Sequence, residues 1–248
     1  MNYVCTINVY TLDLHLKLEN YHYLNQNYMK KTAILASMAA ALLFTACADS
    51  NTATENTTAV TTEAPATAEG DAYAVDPAAS QLTWNGKKVG GEHSGNISLQ
   101  GGELVVADNQ VVGGEFTIDM ASITNTDIED AKYNSDLVGH LKSDDFFGVE
   151  QHPTANFKIN SISPIADAAA GQPNYNVAGD LTIKGKTNPV SFPATITVEN
   201  GTATAKADVI VDRAKYDVRY GSKSFFDDLG DKVIDDNFTV SLDITAKQ

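Results

Sequence analysis

The sequence predicts an all-β domain from residue 71 to the end of the chain, with strands in a meander and one helical insert. Three observations carry this. Apolar residues alternate with polar ones over long stretches, a period of two instead of 3.6. Asparagine–glycine and glycine pairs punctuate those stretches. Closely spaced turns leave neighbouring strands antiparallel, and eight or nine of them hide their edges best by closing into a barrel; a sandwich of two sheets is the alternative.

Taken along the chain, Leu82-Thr83-Trp84 reads as a strand ending at Asn85-Gly86, a pair suited to a two-residue hairpin turn. Gly101-Gly102 and Asp108-Asn109-Gln110 read as two more reversals. Thr126 to Glu150 then breaks the alternation. Ile128, Ala131, Leu137, Val138 and Leu141 suggest a helix, and Ser143-Asp144-Asp145 suits the cap of a second short turn before Phe146-Phe147. Such an insert covers a barrel mouth or packs on the outer wall. Period two resumes with Val177, Gly179, Leu181 and Ile183, then Phe192, Ala194, Ile196 and Val198. After Asn200-Gly201 it continues with Ala203, Ala205, Ala207, Val209 and Val211, and closes with Phe238, Val240, Leu242 and Ile244. Each set places one apolar face inward and one polar face toward water. Alanine and glycine at inward positions, among them Gly113, Gly114 and Gly179, point to an interior with room in it or to close sheet packing.

The N-terminal residues read differently. Met29-Lys30-Lys31 opens a basic stretch, Thr32 to Ala46 is apolar or small, and Cys47 follows directly. These are the parts of an export signal over residues 29–46. Phe44-Thr45-Ala46-Cys47 resembles a lipobox, so Cys47 is the expected lipidation site. Residues 1–28 carry no basic start, and the true start is expected at Met29. Residues 47–70, rich in Thr, Ala, Glu and Asn, lack the apolar surface to offset chain entropy and are expected to form a disordered tether. The remaining cysteine, Cys5, precedes the signal, so the folded domain has neither a disulfide nor a cysteine-based metal site.

Composition narrows the function. A formal charge of −15 opposes a nucleic-acid partner and adsorption on anionic lipid through charge alone. His93, His140 and His152 lie in no metal-binding spacing, although twelve positions allow His140 and His152 to meet in space. Asp227, Asp228, Asp231, Asp235 and Asp236 lack the order of a calcium loop and read as a solvated loop. No GxSxG or other nucleophile motif is present, so no catalytic or metal-ligating residue is assigned and the protein is expected not to be an enzyme.

Several motifs stand together in one order. They are Val75-Asp76-Pro77 with Ser80, Ser122-Ile123 with Asn125, and His140-Leu141-Lys142-Ser143-Asp144-Asp145-Phe146-Phe147. His152-Pro153-Thr154-Ala155 follows with Phe157, then Gly179-Asp180-Leu181-Thr182-Ile183-Lys184-Gly185 with Thr187-Asn188-Pro189-Val190. Asp212-Arg213 and Asp231-Lys232-Val233 stand late in the domain. In these residues the chain from about Tyr73 to its end resembles the YceI-like family of polyisoprenoid-binding proteins.

The resemblance implies an extended eight-stranded antiparallel barrel, lipocalin-like in shape, whose apolar tunnel holds a polyisoprenoid, an isoprenoid quinone or a related fatty amphiphile. It implies a periplasmic or secreted setting and no established catalytic residues. Candidate wall residues are Trp84, Phe116, Ile118, Phe157, Ile159, Leu181 and Ile183, with Leu137, Leu141, Phe146 and Phe147 at an entrance. The expectation is a carrier, buffer or stress-protective protein of the cell envelope, held to a membrane through Cys47. No cofactor other than the lipid is expected, and a homodimer is left open. The other reading is an envelope protein that uses the barrel exterior for non-catalytic interactions.

Overall fold

The computed structural model describes residues 69–248, which hold nine strands and one α-helix. The strands are β1 (Asp71–Val75), β2 (Gln81–Lys88), β3 (Gly91–Ala107), β4 (Gln110–Asp119), β5 (Thr154–Pro164), β6 (Tyr175–Ile183), β7 (Lys186–Glu199), β8 (Thr202–Asp212) and β9 (Ile234–Lys247). Helix α1 spans Ala131–Lys142. The expectations for the start site, export signal and lipidation, and for the tether up to residue 68, fall outside the described residues.

All pairings are antiparallel, and β2 through β9 close on themselves because β3 pairs with both β2 and β4 while β9 pairs with β2 and β8. Nine strands fill eight positions. β1 pairs with Glu103–Val106 of β3 and the last residues of β9, and β2 pairs with the earlier part of β3, so β1 and β2 lie end to end as one interrupted barrel stave. The joint between them is built by Asp76 and Ser80. Asp76 accepts from the Ala78 and Ala79 amides, and Ser80 donates to the Asp76 carbonyl and accepts from the Thr245 amide of β9. The fold is therefore the eight-stranded antiparallel barrel with one short helix, and the sandwich alternative is excluded.

Three connections are two-residue turns with positive φ at both central residues: Asp108-Asn109, Lys184-Gly185 and Asn200-Gly201. That geometry matches the right-handed twist of the flanking strands. Two sequence expectations are corrected. Asn85-Gly86 lies inside β2, beside a register shift between Gly86 and Lys88, and the chain turns at Val89-Gly90 instead. Gly101-Gly102 lies inside β3 next to a second bulge, not at a reversal. In both cases glycine serves a bulge, the other common use of glycine in a strand.

The inward glycines also differ from expectation. A Cβ on Gly179 would sit 2.7 Å from the Phe157 ring, and one on Gly114 would sit 3.0 Å from Leu104 Cδ2. These glycines admit neighbouring side chains and open no space of their own.

The connections divide unequally between the two barrel ends. One end carries Asp108-Asn109, Asn200-Gly201, the loop 165–174 and the start of β1. The other carries Val89-Gly90, Lys184-Gly185 and two long connections, Met120–Pro153 with α1 and Arg213–Val233 between β8 and β9. Helix α1 starts where Asp130 accepts from the Lys132 and Tyr133 amides, an N-cap. Ser143 is its C-cap and the following residues form turns, so no second helix begins there. No residue of α1 is fully buried; Asn134, Leu137, Val138, His140 and Leu141 make its half-buried face. Among the described residues no helix is long and apolar enough to cross a membrane.

Candidate apolar ligand cavity

Inward side chains of the eight staves surround a cavity of about 260 Å³. Its lining runs from Ile234 to Ile244 along β9. Ten residue steps at about 3.3 Å each, on strands tilted by about 40°, place those ends about 25 Å apart along the barrel. The cavity is thus longer than wide. Tyr73, Val106, Val198, Ala203 and Ala246 pack beyond its deepest residues and form a floor. Ala203 and Ala246, directly opposite each other on β8 and β9, are fully buried.

All eleven residues singled out from the sequence lie on this lining. Trp84, Phe116, Ile118, Phe157, Ile159, Leu181 and Ile183 stand on the strands, and Leu137, Leu141, Phe146 and Phe147 stand at the helical end. Trp84 donates its indole N–H to the Thr124 carbonyl at 3.0 Å, which satisfies the polar edge and leaves the ring as apolar wall. Leu137 and Leu141 place α1 over the mouth, which decides between the two positions open to the insert.

Other lining residues belong to the alternating runs, among them Val177, Phe192, Ala194, Ile196, Ala205, Val240 and Leu242, and period two identifies them. Those on β3 and β4 (Ile97, Leu99, Leu104 and Val111) escape that rule because bulges at Leu99/Gly101 and Val105/Val106 switch which parity faces inward. The polar lining is concentrated at the mouth: Lys87, Lys88, His93, Arg213 and Asp235. His93 is held by Asp127 at 2.8 Å.

Arg213 is a lining residue that pattern alone does not reveal. It is 4% exposed. Its guanidinium donates to four backbone carbonyls, those of Asp235, Val218, Tyr220 and Ile234, at 2.8–3.0 Å, and lies 3.4 Å from Asp236 Oδ1. Burial pulls its pKa down from the ordinary value, opposed by Asp236, Asp212 and Asp235. Four of its five N–H groups are committed to carbonyls and the remaining one faces Asp236. The group therefore ties the β8–β9 connection to the barrel, leaving no donor for a ligand head group. Asp236 belongs to β9 and is half-buried, so the acidic cluster is not one solvated loop. Burial raises the Asp236 pKa, but hydrogen bonds from Ser222 and Ser224 and the charge of Arg213 outweigh it and hold the carboxyl below its usual value.

An aromatic cluster closes the mouth beside Arg213. His140 of α1 meets Phe146 and Tyr220 edge-on at 4.9 and 4.5 Å, and Phe147 meets Phe238 at 6.3 Å. His152 stands apart from it, beside Gly148 and Gly185. Among the described residues no three His, Cys, Asp or Glu side chains gather in a metal-binding group.

The YceI-like domain model matches residues 73–246, the whole barrel. The chain belongs to the YceI-like family. YceI-like relatives of known sequence include UPF0312 proteins of Shewanella denitrificans, 29% identical over 107 residues (40% of this chain, 53% of that protein), and of Pseudomonas putida, 32% identical over 93 residues (35% and 46%). The chain spans about half the length of the curated relatives it matches. Among solved structures, this YceI-like barrel is similar to Burkholderia cenocepacia BcnA, with 26% identity, a TM-score of 0.52 and coverage of 70% of this chain and 99% of that one. It also shares its fold with a polyisoprenoid binding domain from Saccharophagus degradans implicated in plant cell wall breakdown, with 17% identity, a TM-score of 0.51 and coverage of 71% and 97%.

Proposed function

We propose that the barrel binds one long-chain apolar lipid (a polyisoprenoid, an isoprenoid quinone or a related amphiphile) in its cavity. In this reading the protein acts without catalysis as a carrier, buffer or stress-protective protein of the cell envelope, anchored to a membrane through Cys47. The observation that carries the reading is the elongated apolar cavity with a floor at one end and its polar residues gathered at the other. An apolar tail fits the wall, and a polar head group fits the mouth.

The energetics support the same reading. Each buried methylene contributes roughly 0.8 kcal/mol, so a dozen carbons give on the order of 10 kcal/mol before ordering costs. Burial of the tail in this apolar interior favours occupation. Family membership and the fold shared with a polyisoprenoid binding domain point the same way. An open interior also supports this reading over one that uses the exterior alone.

Titration of the purified protein with a long-chain isoprenoid quinone and with a polyprenol tests it. Trp84, the one tryptophan of the chain, lies on the wall and reports filling through its fluorescence. Saturable binding with a rise in Tm is expected. No fluorescence change and no rise in Tm with either lipid would refute it.

A further inference from the structure

The cavity mouth is continuous with apolar surface that faces solvent. Besides Tyr133 on α1, four of the large apolar side chains exposed among the described residues lie at this end: Val89 (50% exposed), Tyr220 (46%), Phe225 (38%) and Phe226 (47%). They share one piece of rim. The Val89 amide donates to the Val233 carbonyl, the Ile234 amide donates to Gly221, and the amides of Phe225 and Phe226 both fold back onto the Ser222 carbonyl. Tyr220 packs on Phe146 and His140 of the aromatic closure, and Arg219 lies over the Phe225 ring at 4.9 Å. Tyr220 thus joins the aromatic closure of the mouth to this exposed surface.

We propose that this rim docks on a lipid bilayer by inserting Phe225 and Phe226 at the boundary between head groups and acyl chains. The proposal rests on the lipid-binding reading above, because a docked mouth lets a tail pass from membrane to cavity without crossing water. Aromatic side chains favour that boundary.

Charge sets the kind of surface. The chain carries −15, yet the β8–β9 connection sets Arg213, Lys215, Arg219, Lys223 and Lys232 against Asp217, Asp227, Asp228 and Asp231, and beside it Lys87 and Lys88 of β2 are matched by Glu92 of β3 and Asp235 of β9. The rim is near neutral on a strongly acidic molecule. A neutral membrane fits it better than an anionic one, and attraction through apolar contact does not weaken as salt rises. Beside the patch, the helical connection carries Glu129, Asp130, Asp136, Asp144 and Asp145, all exposed. These stay in water, so the barrel meets the surface tilted toward the β8–β9 side.

Co-flotation with phosphatidylcholine vesicles tests this, using the chain from Ala48 onward so that neither an acyl anchor nor the apolar stretch 32–46 contributes. The parent protein is expected to float with the vesicles equally well in 0.1 and 1 M NaCl. Phe225→Ser/Phe226→Ser is expected to reduce partitioning more than tenfold, whereas Ile210→Ser, which removes an exposed apolar side chain from the barrel wall, leaves it unchanged. Quinone loading from solution should survive in the double variant. If the double variant loses that loading, Phe226→Ser alone serves as the deciding variant. Failure of the parent to float, binding that needs anionic lipid and vanishes in salt, or equal loss with Ile210→Ser would each overturn docking. If no form loads quinone from solution, the lipid-binding reading fails instead, whatever the flotation result.

Discussion

The guanidinium of Arg213 lies over the ring of Phe146 at 5.9 Å. Arg213 opens the β8–β9 connection and Phe146 follows α1 in the β4–β5 connection, so this contact joins the two long segments that shape the cavity mouth. Because the guanidinium also holds the Val218, Tyr220, Ile234 and Asp235 carbonyls, one side chain fixes the position of the rim.

Removing it is therefore expensive. Arg213→Ala is expected to destabilise the barrel by about 3–5 kcal/mol, the cost of breaking a buried charge pair and leaving acceptors unmet. Arg213→Lys keeps the charge but not the planar fork, and most of the loss should remain. Urea denaturation of both variants measures this. A loss under 1 kcal/mol for Arg213→Ala would show that the rim is held by other contacts.

Tail length is predicted to be set by depth. Ala205 lines the deep part of the cavity, opposite Ile196 and Ile244 on the neighbouring strands. Ala205→Phe would place a ring in that space. Binding of the longest polyprenols should weaken at least tenfold while short ones still bind, as read by Trp84 fluorescence over a graded series. Equal weakening for every length would mean that tails do not reach Ala205.

The two alkaline and acid limbs of stability have identifiable sources. Tyr216 is 1% exposed, its Oη is buried without a hydrogen-bond partner, and burial pushes its pKa up to about 12, with Asp212 adding to the effect. A folded pKa above the unfolded value of about 10 means the contribution is complete below pH 10 and is lost as pH rises toward 12. Tyr216→Phe should leave stability at pH 7 unchanged or slightly higher and flatten the decline above pH 10. On the acid side, Asp236 is held below 3.8, so its contribution is present above that value and is lost as pH falls through its lower folded pKa. Thermal melts across pH give both limbs; a Tyr216→Phe curve identical to the parent above pH 10 would contradict the first.

Helix α1 covers the mouth with no fully buried residue, and Gly139 on its outer side has open space where a Cβ would stand. Gly139→Ala is expected to stabilise the helix by about 0.5–1 kcal/mol. Slower hydrogen exchange across Ala131–Lys142 would report it, and unchanged exchange would show that the helix does not open independently of the barrel.

Much of this was legible in the residues. Alternation in β6 to β9 assigns the inward side chains because those strands pair in register over most of their length, and Ile210, placed outward by that rule, is 67% exposed. Asn200-Gly201 turns as its type requires. Asn85-Gly86 and Gly101-Gly102 misled because glycine relieves a bulge and a turn by the same freedom, and only the partner strand distinguishes them. The tie made by Arg213 was not legible, since its acceptors are backbone carbonyls with no side-chain signature. Nor was the floor, which depends on Tyr73 and Ala246 meeting from opposite ends of the domain.

The most direct test of a barrel built around an apolar tail is native mass spectrometry of protein isolated without detergent from its own membrane-containing host. A single adduct with the mass of one isoprenoid or comparable lipid is predicted, reduced or shifted to shorter chains in Ala205→Phe. Bare protein alone, in the parent and after incubation with membrane lipid extract, would contradict the account.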